Sequence, residues 1–203
     1  LVFVRFQSNS LGDNIAWIPY LEDYERVNNV TVYSNCYYKN LFGDVYPDRF
    51  FSMYDGTMEC IDVGITDREI PLQKVACNCL GLEYIEKRPR FNFSKLTRTD
   101  QKYIPFSEFG SNYCKSWNNP SGWPLVIKYI HSIGYTPVSV SKEPTDLKNV
   151  LDYTGKGLLD ICNVIYNSPM FIGVSSGIAW LSWMLTVPVI MVSGHTYPYF
   201  EFQ

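Results

Sequence analysis

Residues 170–183, MFIGVSSGIAWLSW, constrain this chain more than any other stretch. A short apolar run stops at Gly173-Val174-Ser175-Ser176-Gly177, and an amphipathic segment begins straight after it. That is the layout of a strand, a tight turn and a helix N-terminus. Unpaired backbone N–H groups there, backed by roughly half a positive charge from the helix dipole, form a ready site for phosphate. Small side chains let an anion approach the backbone, and the two serine hydroxyls can add hydrogen bonds. By itself the turn also fits an ordinary helix start. Its meaning comes from its surroundings.

The same alternation runs through the rest of the second half. Residues 102–107 read as a strand. Residues 120–134 read as a helix with Trp123, Val126, Ile127, Ile130 and Ile133 close to one face, stopped at Gly134. A strand is expected over 136–140, a helix over 157–167, a strand over 171–174, a helix to about Leu185 and a strand over 187–192. This order is the grammar of a doubly wound parallel sheet, in which ligands bind outside the carboxyl ends of the strands. Four segments fall at those ends: 106–115, Ser141-Lys142-Glu143, Ser175-Ser176-Gly177 and Ser193-Gly194-His195-Thr196. Their convergence favours a nucleotide or sugar-phosphate cleft.

The first half has similar grammar with less regularity. Residues 2–6 read as a strand, 7–12 as a loop, and about 13–26 as a helix in which Pro19 predicts a kink or an early end. A strand over 30–34 completes a β-loop-α-β unit. Short strands are expected around 50–53 and 59–63, then a helix over 71–80 capped by Gly81. Between 87 and 101 the sequence turns polar and basic without clear periodicity, which places the domain boundary there: 1–100 and 101–203. The expected fold class is α/β, with two Rossmann-like lobes facing across a cleft.

Composition removes several alternatives. With 46% hydrophobic and 18% charged residues the chain suits a packed globular protein. A net charge of −3 with no basic run argues against a nucleic-acid partner. No apolar run approaches the ~20 residues that span a bilayer, and no signal peptide is visible. The six cysteines stand singly apart from Cys77-Asn78-Cys79, and with two histidines no closed zinc site is expected. Thiols in apolar surroundings point to a reducing, cytoplasmic setting.

Three side chains carry candidate chemistry. Asp13 ends the loop after the first strand, where a carboxylate can act as general base on an acceptor hydroxyl; the competing role is a helix N-cap. Lys115 follows the first strand of the second half, where a cation can neutralise a departing phosphate; the alternative is a solvated surface lysine. Glu143 lies past the strand over 136–140, where an acid can take both hydroxyls of a ribose; the alternative is a helix-initiating Glu before Pro144. His195 is a candidate phosphate ligand or a loop cap. Trp17, Trp117, Trp180 and Trp183 can stack on a base or sugar, although Trp180 and Trp183 at i, i+3 are more simply core. No G-x-G-x-x-G follows the first strand of either half and no P-loop is present, which counts against a nicotinamide dehydrogenase and an ATPase.

Assembled in this way, the chain resembles a two-domain GT-B glycosyltransferase of the ADP-heptose heptosyltransferase type, nearest to the bacterial autotransporter heptosyltransferases. The likeness rests on residues 11–20 (LGDNIAWIPY), on 114–123 (CKSWNNPSGW), on 172–183 continuing into 188–194, and on the spacing of Ser141-Lys142-Glu143-Pro144 between the last two. It implies Asp13 as catalytic base and Glu143 on the donor nucleoside. It also implies Lys115, Ser175, Ser176, Gly177, His195 and Thr196 on the donor pyrophosphate and sugar. Lipopolysaccharide heptosyltransferases carry an acid in the loop before the last helix, where Ser175 and Ser176 stand here; this moves the match toward the autotransporter branch. That branch continues into an iron-binding cysteine finger and has an extra N-terminal domain, so the chain is either truncated or lacks those parts, and no metal or cofactor is assigned.

The resemblance implies an inverting, metal-independent glycosyltransferase moving a sugar, heptose among the candidates, from an ADP-linked or other nucleotide-diphosphate donor to a carbohydrate or protein hydroxyl acceptor. The alternative is a catalytically inactive nucleotide-sugar-binding or assembly module on the same scaffold. An epimerase-like enzyme is disfavoured by the missing dinucleotide glycines.

Overall fold

The computed structural model describes residues 1–64, 70–110, 113–193 and 202. The chain divides into two compact units, one of Leu1–Asn92 with Tyr199–Gln203, the other of Phe93–Pro198.

The first unit is built on β1 (Val2–Phe6), whose sequence VFVRF is buried except at Arg5. It lies between β2 (Val32–Ser34) and β3 (Glu59–Val63), in the order β2-β1-β3, all parallel. Arg5 faces Asp62 across the ladder and binds both its carboxylate oxygens at 2.6 and 2.8 Å. Two helices follow β1: α1 (Leu11–Trp17) and α2 (Pro19–Asn28). Proline fits a first helical position but not a helix interior. The expected single helix is therefore divided at Ile18, and Pro19 opens α2. A short α3 (Lys39–Phe42) and α4 (Leu72–Leu80), closed by Gly81, complete the unit. The strand expected around 50–53 is not formed. Asp48–Phe50 is a 3₁₀ turn that sinks Phe50 into the core and leaves Met53 91% exposed, with one isolated bridge from Phe51 to Asn35.

The second unit holds β4 (Tyr103–Ser107), β5 (Thr136–Ser139), β6 (Leu151–Asp152), β7 (Phe171–Val174) and β8 (Val189–Val192). All are parallel, in the order β6-β5-β4-β7-β8. Helices α5 (Gly122–Ser132), α6 (Leu158–Tyr166) and α7 (Gly177–Met184) make the crossovers. Ile104 and Phe106 of β4, Ile172 and Val174 of β7, and Trp123, Ile127 and Ile130 of α5 form one core cluster. Helix α7 is apolar almost all round, and Ala179 to Met184 are buried accordingly.

The units meet in sequence at Asn92/Phe93, earlier than residue 100. Hydrogen bonding explains the position. Thr97 N–H donates to Asn163 Oδ1 at 2.8 Å and Thr99 N–H to Asn167 Oδ1 at 3.0 Å, while Arg98 stacks on Tyr166 at 3.8 Å. The segment before β4 is thereby tied to α6.

Candidate functional site

In a parallel sheet the chain leaves adjacent strands in opposite directions at the switch point, opening a crevice at their carboxyl ends. In the first unit this point lies between β1 and β3, where Gln7 N–H donates to Val63 O at 2.9 Å. Asp13 stands in the first turn of α1, just after β1, and is 8% exposed. The N-cap of α1 is Ser10, so Asp13 is not the cap; it is the third residue of the helix, where the dipole favours a carboxylate.

The neighbouring Asn14, fully buried, fixes this turn. Its amide nitrogen donates to Ser8 O at 3.1 Å and Ser10 O at 2.9 Å, and its carbonyl accepts from Tyr37 N–H at 3.0 Å. Tyr38 Oη bonds Asn9 O at 2.9 Å; burial, then the charges of Cys36 and Asp13, push its phenol up. Sequence reasoning missed Asn14, whose role depends on Tyr37, 23 residues away.

In the second unit the switch point lies between β4 and β7. The loop after β4 reaches across to the start of α7: Lys115 Nζ donates to Ser175 Oγ at 3.1 Å. Gly110 makes that approach possible, because a Cβ there would stand 2.9 Å from Ser175 O and 3.4 Å from the Lys115 side chain. Among the described residues no carboxylate pairs with Lys115. Ser176 is the N-cap of α7, its Oγ accepting from Ala179 N–H at 3.4 Å, and Gly177 is the first helical residue. The two serine hydroxyls thus have different tasks, one meeting the lysine and one closing the helix end. The amides of Gly177 and Ile178, ahead of the capped Ala179, belong to the helix N-terminus, where no intrahelical acceptor is available.

Glu143 is exposed on the turn after β5, and its carbonyl lies 3.3 Å from Thr154 Oγ1. His195 and Thr196 lie outside the described residues. Trp17, Trp180 and Trp183 are buried, and Trp17 Nε1 donates to Leu72 O at 3.0 Å, so these three belong to the cores. Trp117 is half-buried, edge-on to Trp123. Cys36, Cys77 and Cys162 are buried free thiols, and burial pushes Cys36 and Cys162 up to about 12. Sequence reasoning also missed Glu108, a 9% exposed carboxyl directly after β4. Nothing in its local sequence marks it.

Two consecutive units with parallel sheets, each keeping its candidate groups at a switch point, have the ground plan of GT-B glycosyltransferases. Solved members of that class match the fold: the Escherichia coli heptosyltransferase WaaC, determined with ADP, superposes with a TM-score of 0.60 at 11% identity, over 100% of this chain and 92% of its own. No family model matches the chain.

The homologues by sequence are autotransporter heptosyltransferases. Aah of Escherichia coli is 26% identical over 99% of this chain and 59% of its own length. An inactive autotransporter heptosyltransferase, BimC of Burkholderia thailandensis, is 20% identical over 100% of this chain and 55% of its own. The structure of TibC from enterotoxigenic E. coli, an iron-containing dodecameric glycosyltransferase, matches with a TM-score of 0.89 at 25% identity, over 99% of this chain and 60% of that one. TibC has also been determined in complex with ADP-D-β-D-heptose. The chain therefore spans somewhat more than half the length of these relatives.

Proposed function

We propose that this chain carries the transfer machinery of an inverting glycosyltransferase that uses ADP-heptose and a hydroxyl acceptor. The observation that carries the proposal is the Lys115–Ser175 contact at the start of α7 in a homologue of heptosyltransferases. Lys115 and the first-turn amides of α7 are assigned to the donor diphosphate, with His195 and Thr196 added by resemblance, and Glu143 to the nucleoside. Asp13 is assigned as base. In the displacement, the acceptor oxygen forms a bond to the anomeric carbon as the bond to the phosphate oxygen breaks. The acceptor proton passes to Asp13, and the electron pair leaves with ADP, where the lysine and amides stabilise it. Positioning and electrostatics carry the acceleration, with no covalent intermediate.

The acceptor is proposed as a carbohydrate or protein hydroxyl, and free buried thiols favour a reducing, cytoplasmic setting. Among the described residues no group of three His, Cys, Asp or Glu is placed to hold a metal ion. In the test, the chain is incubated with ADP-heptose and release of ADP is followed, with and without a chelator. Asp13→Asn is expected to lower turnover by about 10²–10⁴-fold with donor affinity within about twofold. Full activity in Asp13→Asn would remove the base assignment.

The inactive homologue BimC supports a second reading, a module that binds nucleotide sugar without transfer. Donor binding by calorimetry with neither hydrolysis nor transfer selects it.

A further inference from the structure

The second unit holds a cavity that none of the assigned groups uses. It measures about 350 Å³ and is lined by the segment before β4, by Tyr103 at the start of β4, by Tyr153 and Lys156 after β6, and by α6. Lys115, Glu143 and Ser175 do not line it. Its walls are fixed by the chain itself. On α6, Asn163 Oδ1 accepts from Thr97 N–H at 2.8 Å and Asn167 Oδ1 from Thr99 N–H at 3.0 Å, while Asn167 Nδ2 donates back to Thr97 O at 2.8 Å. The turn after β6 is held as well: Tyr153 N–H donates to Ser139 O at 2.9 Å and Lys156 N–H to Tyr153 O at 3.1 Å. The cavity is therefore preformed, and binding there costs little ordering entropy.

The chemistry of the lining narrows the ligand. It carries one cation, Lys156, and one anion, Asp160, and among the described residues neither forms an ion pair. With no excess of either sign, the cavity favours neither a phosphate nor a polyamine. Val164 is the one aliphatic residue among those lining it and is 6% exposed, so an acyl chain or an apolar peptide anchor finds little to pack on. Two tyrosine rings and a set of hydroxyl, amide and charged groups remain. A neutral saccharide offers the matching set: apolar C–H faces that lie on rings, and hydroxyls that each donate and accept.

We propose that this cavity is a binding site for a neutral saccharide, separate from the groups assigned to the donor. The rings of Tyr103 and Tyr153 take its C–H face, Asp160 accepts from its hydroxyls and Lys156 donates to them. Asn163 and Asn167 act by holding the wall in place. The site stands whether or not Asp13 and Lys115 have the roles given to them above.

The test is a titration of the ¹⁵N-labelled chain with D-mannose, lactose and maltotriose, followed by NMR to about 50 mM, which covers dissociation constants in the millimolar range. Saturable shifts are expected with at least one of these sugars at the amides of 97–103 and 153–164, and they should persist when ADP is present. Inorganic phosphate is expected to give no saturable shift there. Tyr153→Ala, which removes a ring, and Asp160→Ala, which removes the carboxylate, are each expected to weaken the sugar about 5–10-fold. Asp160→Ala, at an exposed position in the first turn of α6, decides the matter if Tyr153→Ala fails to fold. No saturable shift with any of the sugars, shifts confined to other amides, or undiminished binding in either folded variant overturns the proposal. Saturation of the same amides by phosphate overturns it too, since the cavity is then an anion site.

Discussion

Lys115 and Glu108 stand at the ends of the same loop and strand but answer to different physics. Lys115 is a half-buried cation whose hydrogen-bond partner among the described residues is a neutral hydroxyl, Ser175 Oγ, which suits the diphosphate role proposed for it. Replacing it by methionine keeps the aliphatic stem and removes charge-assisted hydrogen bonds worth about 1.5–3 kcal/mol each; ADP affinity measured by calorimetry is then expected to fall roughly 10–100-fold. Glu108 is the reverse case, an acid held in a place that disfavours its charge. Its folded pKa is raised from the ordinary 4.5 by burial, so the native state binds more protons than the unfolded state above that pH. The sign of the linkage follows: this group's contribution to stability is greatest below about 4.5 and declines as pH climbs toward the folded value. Asp23 opposes this trend: burial raises its pKa, but bonds from Lys87 and Arg26 outweigh it and give a net lowering. The useful quantity is thus the difference between the chain and Glu108→Gln. Urea midpoints from pH 4 to 7 should fall less, or rise more, in Glu108→Gln than in the unaltered chain. Parallel curves would show that Glu108 titrates normally.

At the scale of elements, strand β7 is closely packed just before the turn into α7. Gly173 lies under the ring of Phe171, and an added Cβ would stand 2.5 Å from Phe171 Cζ and 3.1 Å from Ser107 O on β4. Gly173→Ala therefore has to displace a fully buried ring, and a loss of about 1–3 kcal/mol is expected in urea unfolding. The elements that sequence makes legible are those whose signal is local. Pro19 divides α1 from α2, Gly81 follows α4, and the apolar spacing of 123–130 marks α5. The strand–turn–helix of β7 and α7 was readable for the same reason. The misread segment around 50–53 has two adjacent phenylalanines, which look the same in sequence whether a strand or a 3₁₀ turn buries one of them. Strand β6 has two residues, both exposed, and so no alternation to read. Glu108 escaped notice because its partner, Ser141, arrives from just past the end of β5, and only the strand order β5-β4 brings the two together. Asn14 likewise acts on Tyr37, through packing that no short window contains.

For the molecule as a whole, the groups given roles in the proposed function divide between the units: Asp13 belongs to the first, and Lys115, Glu143 and the turn before α7 belong to the second. A net charge of −3 gives no general attraction for a nucleoside diphosphate, so binding has to come from local groups. Hydrogen exchange can separate the two duties without any acceptor. A ligand that binds only the folded form at about 100 times its Kd suppresses global opening by about 2.7 kcal/mol. Local openings near the ligand are suppressed as well, whereas openings elsewhere that leave the site intact are unaffected. With ADP added, extra protection is expected at the amides of 176–180 and around 141–147, beyond any uniform change. The amides of α1 are expected to keep their exchange rates, because Asp13 is assigned to the acceptor and not to the nucleotide. In Lys115→Met at the same ADP concentration the protection near α7 should shrink with the loss of affinity, while α1 stays as it was. Protection centred on 11–17 with none at 176–180 would reverse the assignment of donor and acceptor between the two units, and with it the roles given to Asp13 and Lys115.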